Sequence, residues 1–100
     1  MDKDNYLTQA IEDILAERDK QVTVKGYSSE HDDDHFQGDL ADAAACFALS
    51  GGGWCLTDCV EHWPPTWDRK HFKQKTPRQD LVRAAALLIA EIERLDRIQS

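Results

Sequence analysis

Apolar residues recur at helical spacing near the start of the chain. In residues 5–21 they follow one another at intervals of three and one positions, and acidic residues occupy other positions of the segment. The apolar positions are Leu7, Ala10, Ile11, Ile14 and Leu15. Residues at this spacing share one face of a helix, and Asp4 or Asn5 can provide the N-cap. The pattern predicts an amphipathic first helix over residues 5–21.

A second helix is predicted between an acidic cluster and a run of three glycines. Asp32 or Asp33 is a suitable N-cap, because the first helical turn leaves backbone N–H groups unpaired and carries a partial positive charge. The apolar positions that follow are Leu40, Ala41, Ala44, Phe47 and Ala48. The glycines at 51–53 offer the left-handed conformation that ends a helix. Since its many alanines allow close approach of another helix, we expect this helix at the centre of the fold.

The last helix has the clearest starting signal in the sequence. Thr76 supplies an N-cap hydroxyl, Pro77 suits the first helical position, and Gln79 completes a capping box. The apolar positions that follow are Leu81, Ala85, Leu88, Ile92 and Leu95, flanked by Val82 and Ile89. We expect this stripe to be buried against two helices.

Residues 54–75, between the second and last helices, show no sustained period. Aromatic residues and prolines lie here among polar residues: Trp54, Trp63, Pro64, Pro65, Trp67 and Phe72. We expect an ordered loop with one helical turn, held against the helices by its tryptophans. A chain of 100 residues has the usual length of one domain. The sequence therefore predicts an all-α fold, a single domain over residues 1–100, built as a small three-helix bundle with a long Trp- and Pro-containing loop between helices 2 and 3.

Charge is unevenly distributed along this acidic chain, whose net charge is −7. Residues 28–42, the acidic segment, contain six acids and no Lys or Arg, whereas residues 69–78, the basic segment, contain five Lys or Arg and no acid. DNA and anionic membranes repel an acidic protein, so we expect neither as a direct partner. A basic protein surface is the more natural partner, unless the two segments neutralise each other within the fold.

The first residues and the cysteines favour an intracellular protein. The start of the chain is charged and lacks the apolar region of a secretory signal, and no apolar stretch is long enough to span a bilayer. Three cysteines, Cys46, Cys55 and Cys59, fit reduced thiols better than a disulfide framework. We therefore expect a cytoplasmic location.

Two groups of residues are candidates for a metal site. His31 and His35 are four residues apart, which places both on one face of a helix, and Asp34 or Asp39 can add an oxygen ligand. The alternative is that residues 32–34 cap the helix and the histidines lie on the surface. A weaker candidate is a zinc site with unusual spacing at Cys55, Cys59, His62 and His71.

An enzyme is the second class of function considered. All-α nucleotide pyrophosphohydrolases resembling MazG hold magnesium with carboxylates three or four residues apart on facing helices, and Glu93 and Asp96 have this spacing. The chain has no second such motif at the matching place. It also contains no recognisable nucleophile and base pair and no phosphate-binding glycine loop. The sequence therefore predicts no catalytic residue and no cofactor.

A binding surface for another protein or for a nucleotide is the third class of function. The acids of the acidic segment can be spaced like the phosphates of a nucleic acid and occupy a basic groove on another protein. These residues are Glu30, Asp32, Asp33, Asp34, Asp39 and Asp42, with Trp63 and Trp67 as aromatic anchors. The ordinary alternative is a solvated acidic surface that contacts the basic segment. A further possibility is a nucleotide-binding protein in which Arg69, Lys70, Lys73, Lys75 and Arg83 hold phosphates and Trp54 or Trp67 stacks on a base.

A spaced pattern over most of the chain resembles a group of small proteins encoded by phages and prophages. The pattern comprises Glu17-Arg18, Gln21, Gly26-Tyr27, Glu30-His31-Asp32-Asp33, His35, Gly38-Asp39-Leu40-Ala41, Ala43-Ala44-Ala45-Cys46, Trp63-Pro64, Trp67, Arg78, Asp80-Leu81-Val82-Arg83-Ala84 and Ala90-Glu91-Ile92-Glu93-Arg94-Leu95-Asp96-Arg97. Residues 51–59 depart from that group.

The small size and acidic character are similar to those of anti-CRISPR proteins that inhibit type I-F complexes. This resemblance implies a non-enzymatic inhibitor in the cytoplasm of a bacterial host. It would bind a crRNA-guided or other nucleic-acid-handling complex at the lysines and arginines that contact DNA, and so hinder capture of the target DNA.

Overall fold

The computed structural model of the chain describes residues 7–23 and 38–99. They form four α-helices, α1 (Gln9–Thr23), α2 (Asp39–Gly51), α3 (Leu56–Val60) and α4 (Pro77–Gln99), and a short 3-10 helix at Arg69–His71. No strand occurs within these residues. The predicted all-α class is confirmed, with the three long helices at the predicted places in the chain.

The long helix α4 is central in the described part of the chain. It packs along α2 and also against α1, whereas α3 packs against α2. Helix α2, predicted at the centre, shares this position with α4, because it contributes five residues to the core. The core between these elements consists of Leu40, Ala43, Ala44, Cys46, Phe47, Cys59, Trp63, Phe72, Ala84, Leu87 and Ala90. Since both α2 and α4 contribute alanines to it, the two helices can approach closely.

Both ends of α2 are set by glycines. Gly38, at the N-cap, has a φ of 94°, so the helix begins at Asp39. A helix running continuously from Asp32 or Asp33 through Leu40 is therefore wrong, while residues 32–37 themselves lie outside the described residues. At the other end, the Gly52 N–H donates to the Ala48 carbonyl at 2.9 Å and the Trp54 N–H donates to the Leu49 carbonyl at 3.0 Å. The predicted end at the glycines is confirmed.

The middle of the chain is ordered by aromatic packing. The Phe47 ring of α2 packs against Trp63, with ring centroids 5.9 Å apart at 87°, and against Phe72 at 5.1 Å. Trp67 packs edge-on against Trp63 at 5.6 Å. These contacts confirm that tryptophans hold the loop against the helices, and the loop contains both α3 and the 3-10 helix.

The buried face of α4 is not the predicted leucine stripe. Leu81, Leu88 and Ile92 are 48%, 46% and 58% exposed. The buried residues of α4 are Asp80, Arg83, Ala84, Ala86, Leu87, Ala90, Glu91 and Arg94. Small alanines on this face fit the alanines of α2, and the charged residues pair with each other three positions apart. Pairing within the helix offsets part of the cost of burying these charges.

The helix starts differ in how well the sequence predicts them. In α4 the Gln79 N–H donates to Thr76 Oγ1 at 3.2 Å and the Thr76 N–H donates to Gln79 Oε1 at 3.2 Å, so the capping box is confirmed. In α1 the Ile11 N–H donates to Thr8 Oγ1 at 3.3 Å, so Thr8 provides a cap for this helix. Asp4 and Asn5, the predicted caps, lie outside the described residues.

Candidate functional site

A buried carboxylate anchors the junction between the end of α2 and the start of α4. The side chain of Asp80 is fully buried. Its Oδ2 accepts a hydrogen bond from Ser50 Oγ at 2.7 Å, and its Oδ1 accepts one from the Lys75 N–H at 3.0 Å. The Arg83 guanidinium also donates to Oδ1. One carboxylate therefore joins α2, α4 and the chain that leads into α4.

Arg83 is held in place by two further features of its surroundings. Its Nη2 donates to the Lys73 carbonyl at 2.6 Å, and its guanidinium carbon lies 4.3 Å from the centroid of the Phe47 ring. A carboxylate, a carbonyl and an aromatic face are the groups that stabilise a buried guanidinium. Its Nε is buried and has no hydrogen-bond partner among the described residues. The contacts with Asp80, Lys73 and Phe47 fix the position of the Arg83 charge.

An open cleft of about 290 Å³ lies between α1 and α4, beside this network. Helix α1 contributes Asp13, Ala16, Glu17 and Lys20, and Lys75 precedes α4. The first turns of α4 contribute Arg78, Gln79, Val82 and Arg83. Residues 13, 16, 17 and 20 are three or four positions apart and so share one face of α1. The cleft forms because this face lies against the start of α4.

The cleft has an excess of positive charge in an otherwise acidic protein. Four Lys or Arg and two acids line it, which gives a formal charge of +2, whereas the whole chain carries −7. Arg78 Nη1 lies 2.8 Å from Asp13 Oδ2, and Gln9 Nε2 donates to Asp13 Oδ1 at 2.8 Å. The Gln9 hydrogen bond, and after it Arg78, lowers the pKa of Asp13 below its usual value. Asp13 is therefore ionised and offsets one of the cations.

The acidic segment is described only at its end. Asp39 is buried, and its Oδ2 accepts a hydrogen bond from Thr66 Oγ1 at 2.9 Å. Asp39 therefore joins α2 to the middle loop and is wrong as a docking residue. Asp42 is exposed on the first turn of α2, as a docking residue requires. The remaining predicted residues, Glu30, Asp32, Asp33 and Asp34 with His31 and His35, lie outside the described residues.

The predicted aromatic anchors belong to the interior. Trp63 is only 8% exposed and is part of the core, so it is wrong as an anchor for a partner. Trp67 is half-buried and packs against Trp63. The exposed tryptophan is Trp54, at 56%. Hydrophobicity alone does not distinguish these three residues, because the burial of each depends on what it packs against in the folded chain.

The metal candidates find little support in the described residues. No group of three or more His, Cys, Asp or Glu side chains is arranged for a metal within residues 7–23 and 38–99, so the zinc prediction is wrong. Cys46 and Cys59 are buried, and Cys55 donates a hydrogen bond to Asp58 Oδ2 at 3.1 Å. The possible site at His31 and His35 is not covered by this finding.

Glu93, one of the two carboxylates of the magnesium hypothesis, forms an ion pair with Arg18. Glu93 Oε1 accepts hydrogen bonds from Arg18 Nε at 3.2 Å and from Arg18 Nη2 at 3.1 Å. This bond ties α1 to α4. Asp96 is exposed. In the described residues, Glu93 therefore faces a guanidinium from α1.

Sequence reasoning found part of the cleft. Lys75 and Arg83 were predicted to hold phosphates, and both line it, whereas Arg69, Lys70, Lys73 and the tryptophans do not. The residues it missed are Asp13, Glu17, Lys20 and Arg78. A signal was present in the i, i+4, i+7 spacing of Asp13, Glu17 and Lys20, but the same spacing describes the solvated side of many helices.

Comparison with models of protein families, with curated proteins and with solved structures finds no match to this chain. The resemblance to phage-encoded proteins therefore stays a prediction. In the part of the chain that the structure describes, none of the helices combines the length and the apolar character needed to cross a membrane.

Proposed function

We propose that the protein binds a small phosphorylated ligand in the cleft between α1 and α4. The observation that carries this proposal is the convergence of Lys20, Lys75, Arg78 and Arg83 on one cleft. These four cations come from the last turns of α1, from the loop before α4 and from the start of α4. Their meeting is therefore a property of the tertiary structure rather than of a single charged run.

The energetics favour an anionic ligand. Like charges brought together repel, and this repulsion is relieved when an anion binds between them. Arg78 pairs with Asp13 and Arg83 pairs with the buried Asp80, so the exposed Lys20 and Lys75 are the cations that mainly attract the anion. Lysines and arginines bind phosphate through strong, charge-assisted hydrogen bonds. A phosphate-bearing molecule such as a nucleotide therefore suits the cleft better than a neutral metabolite.

The test is calorimetry of the whole protein with ATP. Replacing Lys20 and Lys75 together, as Lys20→Ala with Lys75→Ala, should weaken binding about 100-fold, because each lost charge-assisted hydrogen bond costs about 1.5 kcal/mol and about 1.4 kcal/mol is tenfold in affinity. Folding should be unaffected, since both side chains are exposed and Asp80 bonds to the backbone N–H of Lys75.

A matched control separates the cleft from net charge. Lys70→Ala with Lys73→Ala removes the same two charges from exposed positions outside the cleft and should change affinity less than about threefold. Equal loss in both double variants would mean that ATP responds only to total charge, and no detectable binding to the unmodified protein would reject the proposal. Hydrolysis of a deoxynucleotide with magnesium would instead favour the pyrophosphohydrolase hypothesis.

A second candidate function is a phage-derived anti-defence inhibitor that docks through the acidic segment. Two cations of the basic segment have carboxylate partners elsewhere, because Lys70 lies 3.4 Å from Asp68 and Arg78 lies 2.8 Å from Asp13. These two cations therefore do not neutralise the acidic segment. In addition, Asp42 is exposed. The docking set then consists of Glu30, Asp32, Asp33, Asp34 and Asp42, without Asp39, Trp63 or Trp67. The partner is a crRNA-guided or other nucleic-acid-handling complex with a basic groove.

Charge reversal tests this second function. Asp32→Lys, Asp33→Lys and Asp42→Lys together should abolish co-purification of a nucleic-acid-handling complex from bacterial lysate, measured by mass spectrometry. The control reverses three exposed acids outside the segment, Glu12→Lys, Glu61→Lys and Asp96→Lys, and should retain the partner. If the first variant captured the same complex as the unmodified protein, the acidic segment would not be the docking surface.

A further inference from the structure

We infer that the cleft recognises the phosphate chain of its ligand and leaves the base unread, so that inorganic triphosphate and nucleoside triphosphates are equivalent ligands. This inference rests on the proposed binding of a phosphorylated ligand. It concerns which part of that ligand the protein contacts, and it follows from the size of the cleft and from the chemistry of its lining.

The size of the cleft suits a phosphate chain. Its volume is about 290 Å³, whereas sites that enclose a whole drug-sized molecule usually measure about 300–1,000 Å³. The cleft therefore lies at the lower end of this range. It has room for a run of phosphates, and a nucleoside attached to that run extends beyond it.

The part of the lining that the structure describes contains no platform for a base. Proteins that hold bases without reading their sequence stack them on aromatic side chains. No aromatic residue is among the described residues that line the cleft, and the apolar ones are only Ala16 and Val82. Trp67 lies in the aromatic cluster with Trp63, and Trp54 does not border the cleft.

Two groups that could read a base edge, Gln79 Oε1 and the Asp13 carboxylate, are already engaged. Gln79 Oε1 accepts hydrogen bonds from the Thr76 N–H at 3.2 Å and from Thr76 Oγ1 at 3.0 Å, which closes the cap of α4. Asp13 is bonded through one oxygen to Gln9 and through the other to Arg78. Discrimination between bases needs hydrogen-bonding groups that the wrong base would leave unpaired. Gln79 Oε1 and the Asp13 carboxylate instead serve the fold.

Calorimetry of the full chain with four probes tests the inference. Inorganic tripolyphosphate, ATP and GTP should bind with dissociation constants within about threefold of one another, and adenosine should give no heat. In the double variant Lys20→Ala with Lys75→Ala, the three phosphate probes should weaken in parallel. Trp54→Ala should bind ATP unchanged, because the exposed Trp54 is outside the cleft.

The possible failures are distinguishable. Binding of adenosine, a preference above about tenfold between ATP and GTP, or binding of ATP without tripolyphosphate would overturn this inference while leaving a phosphorylated ligand in the cleft. No binding by any of the phosphate probes would overturn both the inference and the proposed function.

Discussion

At the scale of single residues, buried polar groups determine how the helices fit together. Asp80 is fully buried and is bonded to Ser50, to the Lys75 N–H and to Arg83. A carboxylate in such a place is stable only because each oxygen has donors and the adjacent charge is opposite. The same side chain positions Lys75 and Arg83 in the cleft.

We expect Asp80→Asn to lower the free energy of unfolding by about 3–5 kcal/mol, since it leaves the buried Arg83 charge without its counter-ion. Urea denaturation followed by circular dichroism measures this change. The control is Asp42→Asn on the exposed side of α2, which should change stability by less than about 0.5 kcal/mol. An equal, small effect at both positions would show that the Asp80 network does not stabilise the fold.

The buried thiol of Cys46 makes the free energy of unfolding depend on pH in the alkaline range. Burial, reinforced by Cys59 and Asp42 nearby, raises the pKa of Cys46 from its ordinary value of 9.0 to about 11. Because the folded pKa is above the unfolded one, this stabilising contribution is complete below pH 9 and is lost as the pH rises towards 11. We expect the free energy of unfolding to fall over that range by on the order of 2 kcal/mol from this group.

Urea titrations at several pH values between 8 and 11 check this expectation. Cys46→Ala should reduce the dependence, with burial of Cys59 accounting for part of what remains, whereas Cys55→Ala, which removes an exposed thiol, should leave it unchanged. Identical slopes in the Cys46 variant and the unmodified protein would contradict the role of the buried thiol.

At the scale of elements, α4 presents two different apolar faces. Leu87 lies in the core, whereas its neighbour Leu88 is nearly half exposed. We expect Leu87→Ala to cost about 2–5 kcal/mol, because it leaves a cavity against α2. Leu88→Ala should cost less than about 1 kcal/mol. Denaturant midpoints of the two variants check this, and the reverse order would mean that the leucine stripe is the buried face after all.

The contact between the end of α2 and the start of α4 depends on a glycine at position 51, which has no side chain. A Cβ at Gly51 would lie 2.7 Å from Leu81 Cγ and 2.9 Å from the Pro77 carbonyl oxygen, whereas one at Gly52 would lie no closer than 3.4 Å to any atom. Gly51→Ala should therefore destabilise the protein by about 1–3 kcal/mol through overpacking against backbone. Thermal unfolding should show little change for Gly52→Ala, which serves as the matched control because its φ of −82° suits alanine.

At the scale of the whole molecule, the core connects elements that are distant in the chain. Helices α2, α3 and α4 share it with Trp63 and Phe72 of the middle loop, and two ion pairs join α1 to α4. Sharing of one core by these elements favours cooperative unfolding.

We expect one transition, with the same midpoint when it is followed by tryptophan fluorescence and by far-UV circular dichroism. The first signal reports the loop through Trp63 and Trp67, and the second reports the helices. Separate midpoints would contradict the single domain predicted over residues 1–100, because the loop would then melt independently of α2 and α4.

The sequence by itself determined the local features of this protein. The hydroxyl, proline and glutamine at the start of α4 and the glycines at the end of α2 act on backbone groups within a few residues, so their effect is readable without the fold. Helical periodicity likewise predicted the three long helices.

Only the tertiary structure decided which faces meet. The 3.6-residue period points to the leucines of α4, but close packing against the alanines of α2 selects Ala84, Leu87 and Ala90. Charged residues are buried on the same face of α4, where Asp80 pairs with Arg83 and Glu91 pairs with Arg94. The same packing buried Trp63 and Asp39 and brought Lys20 to Lys75 and Arg83. These outcomes depend on shapes and partners far apart in the chain, which no local pattern records.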